Sequence, residues 1–208
     1  MEHTLLIDAQ LDRLVITLNR PDKANALTAT MLRDMAQAVA DHHHCQALVL
    51  TGVGRVFSAG ADLADVAHGG LATDPAWETL SAAVSDFPGL TIAALNGTVA
   101  GGAMGMVLAC DIRVAVPSAK FFYPVIAKGV DPQPSDTPRL ARLIGPARTA
   151  EVMILGRKVD CATAHDWGLV NTIADPDALM AAADDMINAV SSAKPGAVAR
   201  IKAQIAGR

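Results

Sequence analysis

Apolar residues alternate or run together over residues 4–9 and 14–18, with Asp and Gln between them. This predicts two paired strands. Residues 28–41 carry Met31, Leu32, Met35, Ala36 and Val39 at helical spacing, and Thr28 or Thr30 stands where a cap is needed. A short buried strand follows at 47–50, ending at Thr51-Gly52, then a helix at 78–87. A second buried strand at 91–95 is closed by Asn96-Gly97, followed by a helix of small residues at 102–110 and a strand at 112–116. The rest is mainly helical. Thr137-Pro138 forms a cap and first-position pair for a helix to about Ile144. Helices at 149–155, 162–167, 175–190 and 195–206 and one strand at 169–173 complete the pattern. Strands alternating with helices imply an α/β fold with right-handed crossovers, read here as a single domain over residues 1–208 with no internal sequence repeat or linker.

Composition narrows the function classes. A chain of 208 residues with 51% hydrophobic and 18% charged residues can bury a full core. Aromatics at 3% argue against a stacking surface for single strands. A net charge of −4 without a basic block leaves out duplex nucleic acid. Cys45, Cys110 and Cys161 are widely spaced and odd in number, as expected of reduced, buried thiols in a cytosol-like compartment. The start, MEHTLLIDAQLDR, is acidic where a signal peptide is basic, so a cytoplasmic protein is expected. Residues 87–110 carry no charge and contain Gly101 and Gly105 at GxxxG spacing, but Pro88 and Asn96-Gly97 divide them into strand, turn and helix. A buried core segment is expected there, and no membrane partner.

Two glycine-rich turns carry the chemistry. LVLTGVGRVFSAGADL (residues 48–63) and TIAALNGTVAGGAMGMVLACDIRVA (residues 91–115) each put small residues where a buried strand gives way to a helix. Glycine there allows positive φ and close approach by a ligand, and a helix start offers unpaired N–H groups. Two such turns side by side can aim two donors at one oxygen, which is an oxyanion hole. Taken singly, each turn is explained by packing. Gly52-Val53-Gly54 lacks the third glycine of a dinucleotide loop.

The order of the motifs adds a further reading. ITLNRPDKANAL (16–27), VFSAGADL (56–63), AALNGTVAGGAMG (93–105) with CDIRVA (110–115), and RLARLIGPARTAEVMILGRKVDCATAHDWGLVN (139–171) closely resemble the enoyl-CoA hydratase/isomerase, or crotonase, family over about residues 4–206. The resemblance implies a spiral of ββα units and an oxyanion hole made by the N–H groups of Ala61 and Gly102. It implies coenzyme A along Lys23, Ala24 and Ala26, then Ala59, Ala61, Asp62 and Leu63, with Lys23 or Arg20 near its phosphates. Coenzyme A would arrive as part of an acyl-CoA substrate, with no separate cofactor and no metal. Asp62, at a helix start, also reads as a cap. A homo-oligomer is implied, the family's usual assembly being a trimer. The chain ends before the further C-terminal helices that family members usually carry.

The sequence departs from the pattern at the acids. The family's two hydratase glutamates align with Gly105 and Val125, neither of which can transfer a proton. The nearest acids lie in GVDPQPSD, where Asp131 is the preferred replacement base and Asp136 the second choice. Tyr123 reads as a core residue with a phenol to offer. His42, His43 and His44 read as a solvated helix end. His68 lies after the AGAD turn, and His165 is expected to pack. Two functions follow: an acyl-CoA enzyme that stabilises an enolate without simple hydration, or a non-catalytic acyl-CoA-binding protein that kept the fold.

Overall fold

The structure, a computed structural model, describes residues 3–10 and 12–207. Strands β1 (Leu5–Ala9), β2 (Arg13–Leu18), β3 (Ala47–Gly52), β5 (Leu90–Leu95), β7 (Ile112–Ala115) and β10 (Thr172–Ile173) form one sheet in that order. It is parallel from β2 onward, and β1 pairs antiparallel at its edge. Strands β4 (Val56–Ser58), β6 (Thr98–Ala100), β8 (Lys120–Phe122) and β9 (Val159–Asp160) form a second sheet, parallel except for β9. Helices α1 (Ala29–Asp41), α2 (Leu63–Gly69), α3 (Ala76–Asp86), α4 (Ala103–Ala109), α5 (Asp136–Ile144), α6 (Pro146–Met153), α7 (Cys161–Asp166), α8 (Leu179–Val190) and α9 (Ala197–Ile205) complete the order. Twice in succession a long strand of the first sheet leads to a short strand of the second and then a helix: β3-β4-α2 and β5-β6-α4. The ββα spiral is therefore present in the architecture although no repeat shows in the residues.

The elements follow from the residues. The central strand β3 is buried along five of its six positions, as a parallel strand covered on both faces requires. Leu14 and Ile16 of β2 stand opposite its Leu48 and Leu50. The edge strand β1 leaves Leu6 and Ile7 exposed. Thr28 rather than Thr30 caps α1, its hydroxyl accepting from the Met31 N–H at 3.2 Å. Helix α3 packs between α1 and α4. The charge-free segment 87–110 becomes β5, a turn, β6 and α4 within the core. Among the described residues no helix is long and apolar enough to cross a membrane.

Several boundaries differ from expectation. Helix α5 starts at Asp136, not after Thr137, because the Ser135 N–H and hydroxyl are both drawn to Glu78 Oε1, at 3.2 and 2.9 Å. The expected strand 169–173 shortens to Thr172–Ile173, since the Leu169 and Val170 N–H groups turn back to the Ala164 carbonyl. The expected helix 149–155 lies at 146–153 and begins on Pro146. His165 is exposed rather than packed. Thr91, at the start of β5, shares three hydrogen bonds with Asp111, one of them from its own N–H to the carboxylate at 2.9 Å. Its hydroxyl donates to the carboxylate at 2.9 Å and accepts from the Asp111 N–H at 2.8 Å.

Candidate functional site

The two glycine-rich turns meet backbone to backbone. Gly60 and Gly101 both have positive φ, at 91° and 56°, a region open to glycine at little cost. A Cβ on Gly60 would stand 2.7 Å from the Ala100 carbonyl oxygen and 3.5 Å from Gly101 Cα. The residues that follow, Ala61 and Gly102, line the same cleft of about 240 Å3. Among the described residues, neither of their N–H groups has a hydrogen-bond acceptor. Both residues are only partly buried, so each N–H is left without a protein partner at the edge of the cleft.

Asn25 organises one side. It is fully buried, with φ at 51° following Ala24 at 48°. Its Oδ1 accepts from the Arg20 N–H at 2.8 Å, and its Nδ2 donates to the Val53 and Val56 carbonyls at 3.0 and 2.8 Å. These bonds hold the loop over residues 20–27 against the AGAD turn. The Ala59 N–H donates to the Ala24 carbonyl, the Leu27 N–H to Gly60, and the Asp62 N–H to Leu27, all at 2.8 to 2.9 Å. Leaving the Ala61 N–H out of this ladder is what the alternation of a parallel bridge does.

Arg20 and Asp62 clamp that junction. The Arg20 guanidinium donates through Nη1 to Asp62 Oδ2 at 2.9 Å and to the Ala26 carbonyl at 2.6 Å, so that nitrogen is engaged within the fold. Asp62 Oδ1 accepts from the Ala64 N–H at 3.0 Å and caps α2. Burial pushes the Asp62 carboxyl up, but the Arg20 and Ala64 hydrogen bonds outweigh it and leave it below the usual carboxylate range.

Of the residues singled out in the sequence, Ala59, Ala61, Leu63, Gly102 and Asp131 line the cleft together. Lys23, Ala24 and Ala26 form the neighbouring ridge, with Lys23 exposed. Leu63 is 76% exposed at the rim. His68 is exposed and turns its Nδ1 to the Ala64 carbonyl, while His42 and His43 bond carbonyls of their own helix. All three cysteines are buried and free, and burial pushes the Cys110 thiol up to about 12.

The two candidate acids sit in different surroundings. Asp131 lies on the cleft wall but is exposed. Asp136 is completely buried, and its Oδ2 accepts from the Tyr123 hydroxyl at 2.7 Å. Its Oδ1 has no partner among the described residues and lies 2.8 Å from where a Gly105 Cβ would be. The space opened by the absent side chain at Gly105 is thus taken by a carboxylate from α5. Burial pushes this carboxyl up to about 6; the Tyr123 hydrogen bond and Arg139 oppose the rise and the Glu78 charge adds to it. Tyr123 itself lines the cleft, and Val125 gives it an apolar wall. Trp77, which the sequence reading did not single out, also lines it. Its Nε1 donates to the Leu71 carbonyl at 2.8 Å, and its ring lies 3.0 Å from a Cβ placed on Gly102.

This geometry has a testable consequence. Gly105→Glu alone is expected to destabilise the protein by roughly 1–3 kcal/mol, as over-packing does, because its Cβ meets Asp136 Oδ1. Adding Asp136→Ala is expected to recover most of that loss. Urea midpoints of the two variants check this, and equal instability would mean that the carboxylate is not the obstacle.

The comparisons agree with this architecture. Residues 12–207 match the enoyl-CoA hydratase/isomerase family. YngF of Bacillus subtilis (strain 168), provisionally named an enoyl-CoA hydratase/isomerase, is 37% identical over 198 residues, covering 90% of this chain and 75% of YngF. The mevalonyl-coenzyme A hydratase sidH of Aspergillus fumigatus is 34% identical over 203 residues, covering 89% and 71%. The solved structure of an enoyl-CoA hydratase from Bacillus anthracis matches with a TM-score of 0.90 at 29% identity, over 98% of this chain and 83% of that one. DspI of Pseudomonas aeruginosa gives 0.91 at 32%, over 99% and 81%. The chain belongs to the enoyl-CoA hydratase/isomerase family and has the crotonase fold.

Proposed function

We propose that this protein binds an acyl-coenzyme A thioester and stabilises its enolate between the N–H groups of Ala61 and Gly102. The observation that carries this reading is the pair of donors without acceptors, presented to one cleft by two turns pressed against each other. A thioester carbonyl seated there gains negative charge when a bond at the adjacent carbon breaks, and two preset N–H groups lower the energy of that charge. Coenzyme A runs along Lys23, Ala24, Ala26 and Ala59 and enters past Leu63, while Trp77 and Val125 enclose the acyl chain. Asp62 serves this track by holding Arg20 and capping α2, which engages both of its carboxylate oxygens. Gly105 and Val125 have no proton to give, so hydration by two glutamates at these positions is closed to this chain.

The test is an ultraviolet difference titration with acetoacetyl-CoA. A saturable, red-shifted enolate band is expected. Binding without the band would favour a carrier of acyl-CoA, and no binding would remove the reading altogether.

A further inference from the structure

We propose that Tyr123 and Asp136 form a two-group proton relay that removes and returns a proton at the carbon next to the thioester carbonyl, an inference that rests on the acyl-CoA reading above. The geometry carries it. Gly102 and Gly105 are three residues apart, so they share a face of the helix start and lie about 4.5 Å apart along its axis. Asp136 comes to Gly105 from α5, with Oδ1 in the vacated side-chain space and Oδ2 on the Tyr123 hydroxyl. Tyr123 faces the same cleft as Gly102. One donor of the oxyanion site and one proton-carrying pair therefore sit a single helical turn apart. A buried carboxylate with an oxygen left unpaired is costly for structure alone, and taking up a proton relieves that cost.

In the step, the C–H bond breaks and its electron pair moves into the enolate, with the charge on the thioester oxygen. The proton passes to Tyr123 Oη while the tyrosine's own proton moves along the 2.7 Å hydrogen bond to Asp136 Oδ2. Tyr123 stays neutral throughout, consistent with burial and the Asp136 charge pushing its phenol well above its usual range. Asp136 ends neutral, and the reverse transfer restores it. Return of the proton to a different carbon moves a double bond, so an unsaturated acyl thioester is the substrate class that fits. The charged groups facing Asp136 are Glu78 on α3 and Arg139 on its own helix. The Arg139 guanidinium bonds Ser81 and Ser135, while Glu78 accepts from Ser135. Lys128 and Asp131 are the other charged groups lining the cleft.

The experiment is deuterium incorporation into butyryl-CoA in heavy water between pH 5 and 9, alongside the acetoacetyl-CoA titration. The unaltered protein is expected to exchange, with the rate falling as the pH drops through about 6, where Asp136 takes up its proton. Tyr123→Phe and Asp136→Asn are each expected to slow exchange by about 100-fold or more, and Asp136→Asn to abolish the fall near pH 6. An enolate band without exchange would overturn the relay and leave the binding reading standing. Neither band nor exchange would remove both. A flat pH profile in the unaltered protein, or loss of exchange in Asp131→Asn with Asp136→Asn still active, would also overturn it.

Discussion

Gly102→Pro is expected to abolish the acetoacetyl-CoA enolate band, whereas Gly102→Ala keeps most of it. Both substitutions add a Cβ at 3.0 Å from the Trp77 ring, so that contact is common to the two. Only proline removes the N–H. The backbone at this position has φ of −58°, which the proline ring accepts, so the lost donor is the difference the comparison reads, with the ring's Cδ against Gly101 monitored by unfolding. Removing one oxyanion donor costs about 2.7–4 kcal/mol, or roughly 100- to 1000-fold. Affinity for the enolate, read from the band and compared between the two variants, should differ by that factor. Thermal unfolding of both variants, measured alongside, separates a lost donor from a lost fold. If alanine and proline remove the band equally, the effect comes from Trp77 and the assignment of Gly102 as donor fails.

Gly60→Ala is expected to be the most damaging single methyl at the site. Its φ of 91° disfavours any side chain, and the new Cβ would lie 2.7 Å from the Ala100 carbonyl oxygen and 3.4 Å from its carbon. Neither is the end of a flexible side chain, so the two turns must part. Left-handed strain of roughly 1–2 kcal/mol and over-packing of roughly 1–3 kcal/mol together predict a loss of about 2–5 kcal/mol. The midpoint of thermal unfolding should fall by roughly 5–15 °C. Gly70→Ala makes the comparison, because Gly70 has φ of 65° but nothing within 4 Å of its would-be Cβ. That variant pays the strain without the collision. If Gly60→Ala melts within about 2 °C of the unaltered protein, the turns are not in the contact described.

The sequence made the large sheet legible because its strands are long enough to show their burial. β3 and β5 are each six residues of nearly continuous apolar character. The second sheet was not legible, because β4, β6 and β8 have three residues each, too few for a period of two to show. The two glycine turns announced themselves through residues that permit unusual backbone. Asn25 could have been found in the same way, since asparagine tolerates the left-handed region. The acid could not. Asp131 precedes a proline in an exposed loop, the position where a displaced base looks natural, while Asp136 resembles a residue beside a cap. What distinguishes Asp136 is burial against Gly105 and Tyr123, which belong to other elements, and no local pattern encodes that.

In both sheets the spatial order of strands is the order of the chain: β1-β2-β3-β5-β7-β10 in one and β4-β6-β8-β9 in the other. Parallel pairing between distant segments ordinarily slows folding, because long loops must close before contacts reward them. Here no strand has to be inserted between two that are already paired. During synthesis, each strand leaving the ribosome finds its neighbour already made, so the sheets can grow from one edge at the pace of translation. Refolding from denaturant, where all strands are present at once, has no such schedule.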